Sequence, residues 1–396
     1  MSPRINLLTP EARANPYPLY ARMRREIPVC EIEPGGVFAV TRHADVQYAI
    51  KHPELFSSQG FRAMLAPEWL GDHPLARSLL VTDPPVHGKL RSLVSKAFGP
   101  ALLARYEPRM REIVARLADD LLVGEEVDFV ARFSLRLPTL IIAELLGFDE
   151  SKEGHFVRWG HDLAAITPVP PPPDLMASIR ETVTEMSRYF GEIIAARRRE
   201  PRDDLTSALV QAEIEGERLS DDQIISFLAL LLPAGFETTT NLLTNGMMLL
   251  ADRRDLLERL RSRPADIPLF IEEVLRYDAP VHGVVRLTTT DVTLAGTTLP
   301  KGSFILLLPG SANRDEAQYQ DPDRFDMDRG TQGGLAFGHG IHFCLGANLA
   351  RLEARVGFEE ILRRVAFIER TAAELTYPIA LTVRGPSSLP VRVLRS

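Results

Sequence analysis

The sequence predicts a mainly α-helical fold, a large helical part carrying a smaller β-rich part. Apolar residues recur at helical spacing through most of the 396 residues, whereas alternating β-like patterns are confined to short pieces. No fixed-period repeat is present. No Gly/Ser linker divides the chain, so residues 1–396 are expected to form a single domain.

The first helical pattern covers 16–26, and a hairpin over 28–40 turns at Gly35-Gly36. Helical spacing then covers 43–52, 86–97 (opened by Pro84-Pro85), 102–122, 133–146 and 151–165. "TPVPPPPD" at 167–174 should be stiff and extended, with Asp174 capping the next helix. Helices are expected at 175–199, 203–213, 219–250, 253–262 and 267–277. β-like pieces follow at 284–299 around "DVTLAG" and at 303–308. The polar, turn-rich segment 308–334 reads as a loop whose unusual length points to function. A helix at 347–363 and a β-like end over 378–395 complete the chain.

With 45% hydrophobic and 25% charged residues, the composition is that of a soluble globular protein able to enclose a cofactor. A net charge of -7 argues against nucleic acid as a partner. The longest apolar run, "FLALLLPAGF" at 227–236, is too short to span a bilayer, and the N-terminal residues lack a signal-peptide core. Cys30 and Cys344 cannot make a disulfide framework. A cytoplasmic protein without membrane partners is expected.

Cys344 lies in "LAFGHGIHFCLGANLARLEARV" (335–356). A lone cysteine is most often a small buried hydrophobe, and a redox or nucleophilic thiol is the alternative, although no CxxC accompanies this one. A helix beginning near Gly346 directs its N–H groups and positive dipole end at Cys344, which favours the thiolate, a ligand for soft metals or haem iron. Gly338, Gly340 and Gly346 leave room for a flat ligand to approach the backbone.

The pattern Phe337-x-x-Gly340-x-x-x-Cys344-x-Gly346 resembles the haem-binding loop of the haem-thiolate monooxygenases, the cytochrome P450 family. The resemblance extends over nearly the whole chain. It implies haem b (iron protoporphyrin IX), with Cys344 as the axial ligand to iron and Phe337, Gly338 and Gly346 among the cofactor-binding residues. "LLLPAGFETTTNLL" (230–243) resembles the family's oxygen-activating motif. By that resemblance Ala234 and Gly235 lie against the haem, Thr238 hydrogen-bonds the oxygen being activated, and Glu237 relays protons. Pro233 departs from the pattern and should kink the helix.

"IEEVLRYDAP" (271–280) resembles the family's buried Glu-x-x-Arg pair, here Glu273 and Arg276, completed by Arg324 of "PDRF". That network is expected to be structural. The resemblance assigns the haem propionates to His87 and Arg91 of "TDPPVHGKLRSLV" (82–94), Arg286, and His342. It lines the substrate pocket with the loop 56–82, including Met64, Leu65, Trp69 and Leu70, with the 164–174 region, with His282 and Val284, and with Thr382 and Val383. For His282 a side chain satisfied by backbone is the favoured reading, and a hydrogen bond to a polar group of the substrate is the other.

The implied reaction inserts one oxygen atom into a C–H or C=C bond of a medium-sized apolar molecule, of the kind found in secondary metabolism, by a monomeric enzyme. The chain has no G-x-G-x-x-G after a strand, so electrons should come from a separate ferredoxin and ferredoxin reductase, docking near Arg111, Arg351 and Arg355. The rivals are a peroxide-driven haem-thiolate enzyme, against which Glu237-Thr238 speaks, and a non-catalytic haem sensor.

Overall fold

The computed structural model describes residues 5–122, 126–330 and 333–395. The chain folds into two compact units that alternate along the sequence. One holds Met1–Ser57, Met110–Leu137 and Thr238–Ser396, and the other Ser58–Arg109 and Pro138–Glu237.

The first unit contains the main sheet. Its strands run in the order Val29–Ile32, Val37–Val40, Phe304–Leu307, Val284–Thr288 and Phe56–Ser57. The expected hairpin turns through Gly35 and Gly36, both at positive φ, where glycine carries no steric cost. The strand Phe304–Leu307 runs parallel to Val37–Val40 and antiparallel to Val284–Thr288. Val40, Ile50, Phe56, Ile305, Leu307 and Leu335 form one buried cluster, so the start of the cysteine loop is anchored in the core beneath this sheet.

A second antiparallel sheet joins Val365–Arg370, Pro390–Arg395 and Glu126–Asp128. Two of those strands lie in no segment that the sequence marked as β. Within 378–395 only Pro390–Arg395 is a strand, and Val383 makes an isolated bridge to Val281.

Helices dominate the second unit. Glu153–Ala164 and Pro173–Arg199 are held together by the buried Asp162 carboxylate, which accepts from Ser178 at 2.9 Å and Thr182 at 2.5 Å. Asp174 does not cap the helix. The N-cap is Pro172, and Asp174 sits inside the first turn, where its charge still favours the helix dipole. The segment 56–82 is not an open loop, since it contains the helix Gln59–Leu65 and the 3-10 turns Pro74–Arg77 and Leu79–Val81. The segment 308–334 likewise contains a helical turn, Pro309–Ala312, while Thr331 and Gln332 fall outside the described residues. The long helix Asp221–Asp252 runs unbroken through Pro233.

Candidate active site

The cysteine sits between two turns that only particular residues permit. Gly338 and Gly340 both have φ near +70°, a conformation that strains any side chain. A Cβ on Gly340 would also press on the Ile50 carbonyl at 3.4 Å. The Cys344 N–H donates to the Phe337 carbonyl at 2.9 Å, which closes the loop. Gly346 is the N-cap of the helix Ala347–Arg364, and a Cβ there would lie 4.0 Å from the Cys344 sulfur. The thiol is exposed, whereas Cys30 is buried and its thiol is pushed up to about 11 by that burial. Cys344 is therefore the cysteine placed to act as a ligand.

A relay of buried polar groups holds this loop. The side chains of Glu273 and Arg276 are paired at 2.7 and 2.8 Å in the helix Ile267–Tyr277, each about 1% exposed. Arg276 also donates to the carbonyls of Asn313, Pro322 and Arg324. The Asn313 side chain in turn accepts the Leu335 N–H at 2.7 Å, at the start of the cysteine loop. Arg351 pairs with Glu272 and lies 4.4 Å from the centre of the Phe337 ring.

Arg324 does not complete the Glu273–Arg276 pair with its side chain. That side chain is exposed and bonds Asp326, and only its carbonyl joins the network. The third arginine is Arg329, largely buried and 3.5 Å from Glu273. Both arginines sit in the same turn-rich segment, so spacing alone did not separate them. Neither Asn313 nor Arg329 carries a sequence signal of its role.

On the long helix, Leu231, Ala234, Gly235 and Thr238 are partly or fully exposed while Leu232, Phe236, Thr239 and Thr240 are buried. This i, i+3, i+4, i+7 stripe puts the small residues and the threonine on one face. A Cβ on Gly235 would meet the end of the Ile142 side chain at 3.1 Å, so a larger residue there requires Ile142 to shift. Burial holds the Glu237 carboxyl above the usual carboxylate range. Within the second unit, Phe236 packs against Gly160, and the His161 ring meets it edge-on at 5.3 Å.

The four expected propionate partners divide between the units. His87 is buried and Arg91 half-buried on the helix Val86–Ala97. Arg286 is buried in the strand Val284–Thr288, where its guanidinium donates to the Val285 carbonyl at 2.8 Å, and His342 ends the turn Gly340–His342.

The expected substrate residues divide the same way. In the first unit His282, Val284, Thr382 and Val383 come together, because the N–H groups of His282 and Gly283 both donate to the Thr382 carbonyl. The His282 side chain, however, is buried and engaged. Its Nδ1 is 3.3 Å from the Tyr20 hydroxyl and its Nε2 is 3.4 Å from that of Tyr17, while Tyr17 donates to Asp278. The substrate-recognition alternative for His282 is corrected accordingly; its partners are tyrosines rather than backbone. Burial, then Arg384, drives its pKa down to about 3. In the second unit Met64 and Leu65 end the helix Gln59–Leu65. Trp69 donates its indole N–H to the Thr167 carbonyl at 3.0 Å, and its own carbonyl accepts from Arg180.

Arg111, Arg351 and Arg355 offer less positive charge than their sequence positions suggest. Arg111 and Arg355 both pair with Glu359, and Arg351 with Glu272.

Fold and site together define a haem-thiolate protein. The donor set fits that cofactor: a single exposed thiol at a helix head, glycine turns beside it, and a buried arginine on the adjoining sheet. Among the described residues no group of three His, Cys, Asp or Glu side chains could hold a metal ion. The sequence matches the family Cytochrome P450 over residues 11–262 and 267–383. It is 37% identical over 388 residues to cytochrome P450 109 of Bacillus spizizenii, covering 96% of this chain and 92% of that one. The structure of CYP109Q5 from Chondromyces apiculatus superposes with a TM-score of 0.93 at 39% identity, covering all of both chains. CYP109E1 from Bacillus megaterium, in complex with testosterone, gives 0.86 at 35% identity, covering 96% of this chain and 99% of that one. The chain belongs to the cytochrome P450 family: it is a monooxygenase that binds haem b. No helix among the described residues is long and apolar enough to cross a membrane.

Proposed function

We propose that this monooxygenase oxidises an apolar, ring-bearing organic molecule of steroid size at a C–H or C=C bond, acting as a single-domain monomer with electrons from a ferredoxin. The observation that carries the reading is the exposed Cys344 thiol, held between glycine turns at the head of the helix Ala347–Arg364. Testosterone bound to the relative CYP109E1 supports the substrate class.

When bound, haem supplies the redox centre at which dioxygen, two electrons and two protons give one oxygen atom to the substrate and one to water. Cys344 holds the iron as thiolate, which the helix N-terminus favours electrostatically. Gly338, Gly340 and Gly346 keep side chains off the cofactor face, while Arg286, His342, His87 and Arg91 supply charge and donors for its propionates. Thr238 presents a hydroxyl on the exposed stripe of the long helix. Glu237, raised by burial, takes up and releases protons closer to neutral pH than a surface carboxylate does, which suits a relay.

The test is oxidation of testosterone by the purified protein with a surrogate ferredoxin and reductase, with hydrogen peroxide alone, and with neither. Product in the first arm is expected. Product only with peroxide replaces the reading by a peroxide-driven enzyme, and product in neither arm rejects this substrate class.

A further inference from the structure

The helix Ile267–Tyr277 reaches the cysteine loop twice, from adjacent residues. Glu273 acts through buried groups, by way of Arg276 and Asn313, and holds the Leu335 N–H. Glu272, half-buried beside it, acts through Arg351. Arg351 stands in the second turn of the helix Ala347–Arg364. Its Nε and Nη2 donate to the two Glu272 carboxylate oxygens at 2.5 and 3.1 Å. A fork bound to both oxygens fixes the plane of the guanidinium, which a lysine in the same place would not do. The guanidinium carbon lies 4.4 Å from the centre of the Phe337 ring, within cation–π reach. Phe337 is tied to Cys344 in two ways. Its carbonyl accepts the Cys344 N–H, and its ring centre is 6.4 Å from that of Phe343, the residue before the cysteine. All of these residues belong to the unit that holds Cys344. His339, Gly340, Phe343 and Cys344 are exposed, so packing alone does little to hold this end of the loop.

We propose that Arg351, oriented by Glu272, is a positioning residue for the axial ligand: it clamps the Phe337 ring and so keeps the Cys344 thiolate from being hydrated and protonated. The proposal rests on Cys344 as the iron ligand and on no contact with substrate. It turns Arg351 inward, away from the docking role that its sequence position suggests. A loop released from the clamp admits water to the sulfur. A thiolate that takes a proton from that water becomes a thiol, which is a poor ligand for iron.

The test follows the reduced CO complex of the haem-loaded protein, whose thiolate-type Soret band disappears when the thiolate is lost. It is run in urea below the unfolding transition seen by far-UV circular dichroism. There, Arg351→Gln and Glu272→Gln should each lose the band about threefold to fivefold faster than the parent, with the unfolding midpoint near the parent's. Arg351→Lys, which keeps the charge but not the fork, should fall between. Phe337→Leu, which keeps an apolar side chain but removes the ring, should lose the band as fast as Arg351→Gln. Adding Arg351→Gln to Phe337→Leu should then change nothing further, because the two act as one contact. Parent-like rates in both glutamine variants overturn the proposal. So do effects of Phe337→Leu and Arg351→Gln that multiply, and so does band loss that only tracks a lowered unfolding midpoint. A parent protein without the thiolate-type band overturns the Cys344 assignment and the proposal with it.

Discussion

Arg276 and Asn313 are joined by one hydrogen bond, 3.0 Å from guanidinium to backbone carbonyl, and through it a buried ion pair reaches the cysteine loop. Arg276→Ala would leave Glu273 buried without its main partner, at a cost of about 3 to 5 kcal/mol. Arg329→Ala should cost less than that, and Arg324→Ala less than about 1 kcal/mol, since its side-chain pair is exposed. Chemical denaturation of the three variants measures the order. Equal losses for Arg324 and Arg329 would return the structural role to Arg324.

Cys344→Ala should abolish the thiolate-type Soret band of the reduced CO complex, and Cys30→Ala should leave it intact, since Cys30 is buried in the strand Val29–Ile32. The ligand assignment fails if the band survives in the first variant.

Thr238→Ala should retain haem and substrate binding but lower the product formed per nicotinamide consumed, because electrons are then lost to peroxide or water. Removing one positioned proton donor typically costs about 10²-fold or more in the productive step. Undiminished coupling would reduce Thr238 to a helix residue, or mean that Pro233 has rerouted the protons.

His282 makes stability depend on pH. Its folded pKa, about 3, is below its ordinary 6.5 because burial and Arg384 disfavour the charged ring. The unfolded chain therefore binds more protons between those values. The contribution is fully present above pH 6.5 and is lost as pH falls towards 3. A His282→Phe variant should show a flatter fall in melting temperature over that window, and parallel curves would count against the buried neutral ring.

The residues that the sequence misassigned share a cause. Arg324 and Arg329 stand five apart in one polar segment, and only the path of the turns decides which guanidinium points inward. The partners of His282, Tyr17 and Tyr20, stand more than 260 positions away in the chain, outside any local pattern. The strand Val365–Arg370 begins directly after a helix, with no Gly or Pro to mark the change. By contrast, the helix patterns and the glycine spacing around Cys344 are local signals, and the fold keeps them. Ala347–Arg364 starts where expected, and Ile267–Tyr277 matches residue for residue.

Trp69 ties the residues after Gln59–Leu65 to the proline-rich strut. Pro172 is extended at φ -51°, ψ 148°, but Pro173 already opens the helix Pro173–Arg199, so the stiff run is shorter than the four prolines suggest. Trp69→Phe removes the indole N–H, and replacing Pro170 to Pro173 by Gly-Ser removes the stiffness. Both should raise the rates of substrate binding and release severalfold in stopped-flow spin-shift measurements, with the thiolate band unchanged. Kinetics identical to the parent would make the segment a plain connector.

Arg384 bonds the carbonyls of Arg13 and Ala14, and Arg13 bonds that of Tyr377. The first helices are thus fastened by residues more than 360 positions later in the chain. At ordinary elongation rates the two sides of this clasp are made roughly 20 to 70 s apart. Through that interval the unit holding Cys344 lacks its closing strand, while the segments of the other unit are complete by Glu237. The unit holding Cys344 therefore cannot complete this clasp until Arg384 has been made, whereas the other unit needs nothing beyond Glu237.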